Sequence, residues 1–157
     1  MSASVLPEVA IHHVSISVPD LEAALAWYGE IFGFEVQFRM GIESMNAKGA
    51  FVKRGDMRLE LWQIEGGFPV PSGRREPNTD LQTAGTKHVA FAIPDLQAFL
   101  ERLVRRGVDI AAIQRDPTQP MQPDADPLAR DKPTAFAAFI RDPAGVLIEL
   151  VDAARAG

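Results

Sequence analysis

The stretch "TKHVAFAIPDLQAFLERLVRRGVDI" (residues 86–110) repeats a phrase already written near the start of the chain, "IHHVSISVPDLEAALAWYGEIFGFEV" (residues 11–36). His13 aligns with His88 and Pro19-Asp20 with Pro94-Asp95, both at an offset of 75 residues (88 − 13 and 94 − 19). Two landmarks at one offset mark a duplicated supersecondary unit rather than a chance echo.

Each copy opens with the period-2 alternation of a strand. Val14, Ile16 and Val18 point one way, and His13, Ser15 and Ser17 the other; Val89, Phe91 and Ile93 likewise oppose His88, Ala90 and Ala92. The bulky faces call for a helix to cover them, while the small faces leave room beside a histidine. A helix is expected at once, capped by Asp20 or Asp95, whose carboxylate can accept from first-turn amides. Leu21, Ala24, Leu25, Tyr28 and Phe32 recur at helical spacing, as do Leu96, Phe99, Leu100, Leu103 and Val104. Gly33 and Gly107 suit the left-handed residue that ends a helix.

Strand-like runs follow: "FEVQFR", "GAFVKRG" and "MRLELWQI" in the first half, "VDIAAI", "AFAAFIRD" and "VLIELVD" in the second, with "DPAG" as a turn. Each half therefore reads β-α-β-β-β, and the expected fold class is α+β. The boundaries are residues 11–65 for the first module, 66–85 for a Gly-, Pro- and polar-rich linker, and 86–152 for the second module.

Composition narrows the partners. The 157-residue chain is 46% hydrophobic, carries a net charge of −5 and has no cysteine. Without a basic stripe, nucleic acid is not expected as a partner, because phosphate binding needs clustered Lys and Arg. Thiolate metal sites and disulfides are excluded. "MSASVLPEVA" does not read as a signal peptide, and no apolar run reaches the roughly 18 residues of a membrane span. The expectation is a cytoplasmic protein acting on small molecules.

A second shared feature carries the chemistry. Each half places a glutamate inside an apolar strand: Glu60 in "RLELW" and Glu149 in "LIELV". A carboxylate there is costly unless paired, hydrogen-bonded or bound to a metal. His13 to Glu60 spans 47 residues (60 − 13) and His88 to Glu149 spans 61 (149 − 88). The excess falls in the Pro-rich insertion "QRDPTQPMQPDADPLARDKP", residues 114–133. With that loop set aside, the two His…Glu pairs are in register. Duplicated sheets about a pseudo-two-fold would bring His13, Glu60, His88 and Glu149 to one centre. Two imidazoles and two carboxylates suit one divalent ion: Zn, Ni, Co, Mn or Fe(II).

The motifs "HHVSISVPDLEAALAWYGEIFGF", "RLELW", "KHVAFAIPDL" and "FIRDPAGVLIEL" resemble the vicinal oxygen chelate superfamily, which groups glyoxalases, bleomycin-resistance proteins, methylmalonyl-CoA epimerases and extradiol dioxygenases. The resemblance covers residues 11–152 and implies one glyoxalase-like domain built from two tandem βαβββ modules. It places His13, Glu60, His88 and Glu149 at the family's metal positions and leaves His12 as a structural residue turned toward the helix side. It also implies a homodimer, with each site formed within one chain or from halves of two.

What that resemblance implies chemically is an isomerase, epimerase or lyase that removes a proton next to a carbonyl through a metal-stabilised enolate. Glu149 or Glu60 is the expected base, with a preference for Glu149. Glutathione-dependent members carry Arg and Asn where this chain has Ser17 and Ile64, so that subgroup's pattern is not met. Methylmalonyl-CoA epimerases match better at "MRLELW" and "VLIELVD", with Glu43 near a further proton-transfer position. One alternative is an Fe(II) extradiol ring-cleavage dioxygenase, which uses two His and one carboxylate; another is a non-catalytic drug- or metabolite-binding protein. Trp62, Ile64, Leu147 and Val151 share strand parity with the glutamates and could wall the site. The 114–133 loop could act as a lid. Arg74, Arg75, Arg115, Arg130 and Lys132 are cations that an anionic substrate could meet, each otherwise solvated surface.

Overall fold

A computed structural model describes residues 10–155. The stretch read as lacking a signal peptide lies, up to residue 9, outside the described residues. The chain divides into two compact units, Met1–Gly67 and Phe68–Gly157.

The first unit runs β1 (Val14–Ser17), α1 (Leu21–Phe32), β2 (Glu35–Ile42), β3 (Ala47–Arg54) and β4 (Met57–Ile64), with a short 3-10 turn at Glu43–Met45. Its sheet has the order β1-β4-β3-β2. β1 lies parallel to β4, and the other pairs are antiparallel. The second unit repeats the plan with β5 (Val89–Ile93), α2 (Leu96–Arg105), β6 (Ile110–Gln114), β7 (Ala137–Arg141) and β8 (Leu147–Asp152). Its sheet order is β5-β8-β7-β6, with β5 parallel to β8. This is the tandem βαβββ, α+β arrangement that the duplicated phrase predicts.

The caps form where the Asp residues sit. The Ala23 amide donates to Asp20 Oδ1 at 3.0 Å and the Ala98 amide to Asp95 Oδ1 at 2.9 Å, contacts worth about 1 kcal/mol each. Both helices end on a left-handed glycine, Gly33 at φ 69° and Gly107 at φ 67°. After α2 the Val108 amide reaches the Leu103 carbonyl and the Gly107 amide the Val104 carbonyl, a Schellman closure.

Helical spacing decides what is buried. Leu21, Ala24, Leu25, Tyr28 and Phe32 all face the first sheet, where Ile16, Val52, Leu59 and Leu61 meet them. On α2 the stripe is narrower: Leu96, Leu100 and Leu103 are buried, Phe99 is half-buried, and Val104 lies exposed at the stripe's edge. Phe91, Ile140, Ile148 and Leu150 are buried in the second sheet. Each such aliphatic side chain contributes about 1.5–3 kcal/mol on leaving water. The helices thus take one face of each sheet, and the histidines and glutamates are left on the other.

Residues 68–85, in the segment expected as a linker, are held by the second unit. The Asn78 amide donates to the Met121 carbonyl at 3.0 Å, and Arg141 reaches the Arg75 carbonyl at 2.8 Å and Glu76 Oε2 at 2.8 Å. Among the described residues no helix is long and apolar enough to cross a membrane.

Candidate metal centre

In the first unit, parallel pairing sets Ser15 beside Glu60. His13, one step before β1, then falls on the helix-free face next to that carboxylate. Its Nε2 stands 3.5 Å from Glu60 Oε2, and both side chains keep partial exposure. Phe51, the cross-strand partner of Glu60, packs edge-on against the His13 ring at 5.1 Å between centroids.

His12 does not turn to the helix side, which corrects the expectation for it. It is exposed, with Nδ1 2.7 Å from His13 Nδ1 and Nε2 3.0 Å from an Arg58 guanidinium nitrogen. The contacts that hold it are on the glutamate face, with Arg58 and with the Phe51 ring at 6.2 Å between centroids. Arg carries donors only, so His12 Nε2 must accept.

The second unit repeats the geometry. Ala90 pairs with Glu149 across the parallel strands, and Phe139 is its antiparallel partner. His88 Nε2 lies 3.1 Å from Glu149 Oε2, and the Phe139 ring stands edge-on to the imidazole at 4.9 Å. Thus each unit presents one His, one Glu and one Phe in the same relative positions, flanked by small residues on the opening strand.

The backing of His88 differs from that of His13. Its Nδ1 faces Asp80 Oδ2 at 3.7 Å. Asp80 is 1% exposed, and both facing atoms are buried without a hydrogen-bond partner. Sequence reasoning missed this residue, because Asp80 sits in a Gly-, Pro- and polar-rich segment where acidic residues read as surface. No pattern in the segment marks it.

The loop after β6 is anchored rather than open. Met121 is buried with Phe139, Leu147, Ala112 and Ala137, and residues Ile113 and Gln122 bridge backbone to backbone. Leu147 is therefore part of a local core. Arg115 donates to Asp124 Oδ2 at 2.9 Å and to the Pro127 and Pro133 carbonyls, while Lys132 Nζ meets Asp124 Oδ1 at 2.6 Å. Burial works to raise the Asp124 pKa, but hydrogen bonds from Lys132, Arg115 and the Asp126 amide outweigh it and hold the carboxyl below its ordinary range. Arg115 and Lys132 are thus engaged within the loop. Arg74 likewise donates to the Thr86 carbonyl, whereas Arg130 is exposed.

On the first sheet Trp62 packs against Gly49, its cross-strand partner, where an added Cβ would stand 2.7 Å from the indole. Ile64 is exposed, and Val151 is half-buried. Glu43 begins the exposed turn after β2 and borders a surface groove of about 500 Å³ with Lys48, Gln63 and Glu65.

Among the described residues no group of three or more His, Asp or Glu side chains is gathered so that it could hold a metal ion. The donors come instead as one His–Glu pair in each unit. The chemistry of the pairs, imidazole nitrogen beside carboxylate oxygen, matches what borderline divalent cations take.

Comparison with known proteins agrees with this architecture. A family model described as the Glyoxalase/Bleomycin resistance protein/Dioxygenase superfamily matches residues 12–125. The uncharacterized protein YaeR of Escherichia coli is 30% identical over 108 residues, 68% of this chain and 78% of that protein. Mitochondrial methylmalonyl-CoA epimerase of Mus musculus is 25% identical over 143 residues, 91% of this chain and 72% of the epimerase. A glyoxalase family protein from Enterococcus faecalis shares the fold with a TM-score of 0.69 at 22% identity, over 91% of this chain and 97% of that one. The chain belongs to the glyoxalase/bleomycin resistance protein/dioxygenase superfamily.

Proposed function

We propose that the protein is a divalent-metal-dependent isomerase, epimerase or lyase that removes a proton next to a carbonyl of a small substrate. His13, Glu60, His88 and Glu149 are the donors for one cation, whether the two pairs come from one chain or from two. The observation that carries this reading is the duplication of the His Nε2–Glu carboxylate contact, at 3.5 Å and 3.1 Å, on the helix-free faces of the two units.

A bound cation of this class polarises a carbonyl oxygen and acidifies the neighbouring C–H. The residues do the rest. His88 and His13 present Nε2, each held in place by an edge-on phenylalanine. Glu149 is the base: its Oε2 is free to exchange its contact with His88 for a substrate proton, and the carboxylate keeps partial exposure for a substrate to reach it. Glu60 is the second carboxylate, able to return a proton to the substrate. Trp62, packed against Gly49, supplies an apolar wall on the same face as Glu60.

The similarity to methylmalonyl-CoA epimerase makes a 2-carboxyacyl thioester with an acidic α-hydrogen the first compound to test. Protein loaded separately with Zn, Ni, Co, Mn or Fe(II) is incubated with methylmalonyl-CoA and a panel of α-acidic carbonyl compounds in deuterated water. Proton NMR should show loss of the α-hydrogen signal with at least one metal. Retention of that signal across the panel, with all metals, would count against proton abstraction.

A further inference from the structure

We propose that Arg58 is the anion receptor of this site, and that the substrate carries a carboxylate a few bonds from the carbonyl whose neighbouring proton is removed. The proposal rests on the reading of His13 and Glu60 as site residues and deepens it by assigning the substrate's charge.

Strand register brings Arg58 to that site. Arg58 lies two residues before Glu60 on β4, so both side chains leave the same face, with their Cα atoms about 7 Å apart. β1 runs beside β4 with Val14 opposite Leu59, and the register carried back one residue sets His13 opposite Arg58. On the β3 side the residue opposite Arg58 is Lys53. Arg58 is therefore flanked by a candidate metal donor and by a second cation, all on the helix-free face.

Like charges directly opposite one another across strands destabilise a sheet, and the local carboxylates do not offset Arg58. Lys53 has Glu35 opposite it on β2, whereas Arg58, on an inner strand, has the histidine end of β1 on its other side. Its guanidinium meets His12 Nε2 at 3.0 Å, an acceptor without negative charge. Glu60 sets its Oε2 toward His13 at 3.5 Å. Among the described residues neither Arg58 nor Lys53 is in an ion pair. Arg115 and Lys132, by contrast, both close on Asp124, so their charge is already matched.

Both Arg58 and Lys53 are half-buried, which leaves a ligand able to reach them. A divalent cation beside His13 adds to the positive charge there and strengthens the call for an anion. His12 occupies Nη1 of the guanidinium, and the Nε–Nη2 edge keeps the two parallel N–H groups that match a carboxylate. One unmatched guanidinium suits one negative charge, which favours a carboxylate over a dianionic phosphate.

The test compares levulinate, a keto acid, with its uncharged methyl ester, on the full chain and on Arg58→Gln and Arg58→Lys. NMR of the Arg58 Nε–H group in metal-free protein, titrated with each compound, reports contact without turnover. Protein loaded with each metal in turn gives KM and kcat for α-deuterium exchange. Levulinate should shift the Arg58 resonance and the ester should not. Arg58→Gln should raise KM for levulinate about 10–100-fold, the range for a charge-assisted pair, and leave the ester unchanged; Arg58→Lys should recover part of the loss. Equal response of Arg58 to both compounds, or an unaltered preference for levulinate in Arg58→Gln, would overturn the proposal. So would displacement of levulinate from Arg58 by an equal concentration of inorganic phosphate. Should Arg58→Gln fail to fold, the wild-type titration decides alone. If no loaded protein exchanged either compound, the proton-abstraction reading would fall, and the resonance shift would still decide what Arg58 binds.

Discussion

His88, one step before β5, has its Nε2 3.1 Å from Glu149 Oε2 on the adjacent parallel strand β8, and the same relationship joins His13 and Glu60 at 3.5 Å. The strands make this possible. Parallel pairing puts Ala90 beside Glu149 and Ser15 beside Glu60, and the small residue at each of those places leaves the carboxylate accessible. Replacing Glu149 by Gln keeps the shape and removes the base. Solvent exchange of the substrate α-hydrogen should fall by about 10²–10⁴-fold, the usual range for a positioned base. Thermal unfolding should move little, since the side chain is partly exposed. Exchange at the wild-type rate would remove Glu149 from the scheme.

Gly49 is fixed by the ring across from it. A Cβ there would come within 2.7 Å of Trp62 and 2.8 Å of the Leu61 carbonyl. Gly49→Ala should destabilise the first unit by about 1–3 kcal/mol through overpacking. Urea unfolding followed by tryptophan fluorescence measures it, and the Trp62 signal should shift because the indole is what has to move. An unchanged midpoint would show that Trp62 rests elsewhere in solution.

Met121 anchors the long loop on the second sheet. Its thioether is buried against Phe139 and Leu147, which carry the site face. Met121→Ala should cost about 2 kcal/mol or more and should expose residues 114–133 to limited proteolysis. Cleavage elsewhere in preference to this loop would argue that the ion pairs of Asp124 hold it without Met121.

The loop also carries a pH dependence of definite sign. Asp124 has its folded-state pKa depressed by Lys132, Arg115 and the Asp126 amide, against the opposing effect of burial. Its contribution is therefore fully present above the ordinary carboxylate pKa and is lost as pH falls through the depressed folded value. Hydrogen exchange of the 114–133 amides, corrected for intrinsic rates, should show protection steady near neutral pH and falling in the acid range. Asp124→Asn should flatten that acid-range fall. A wild-type loop equally protected at both ends of the range would contradict the account.

How much of this was legible in the sequence follows from what sequence patterns encode. Period-2 alternation at His13–Val18 and His88–Ile93, the Asp20 and Asp95 caps, and the stripe from Leu21 to Phe32 are local signals with local causes, and each takes its expected form. The duplicated offset made the βαβββ plan readable, and strand parity put each histidine on the face of its glutamate. Long-range placement was not readable. Asp80 becomes a neighbour of His88 through a turn that composition marks only as polar. His12 takes its place through Arg58 and Phe51, residues about 40 or more positions away in the chain. Met121 looked like any residue of a Pro-rich loop, and the loop cations Arg115 and Lys132 looked free until Asp124 was found between them.

The central claim is that both His–Glu pairs serve a single cation. Calorimetric titration with cobalt(II), repeated on His13→Ala and His88→Ala, tests it most directly. The account predicts one ion per chain in the wild type and loss of that same ion in either variant. Two ions per chain, with each variant losing one and keeping the other, would contradict it.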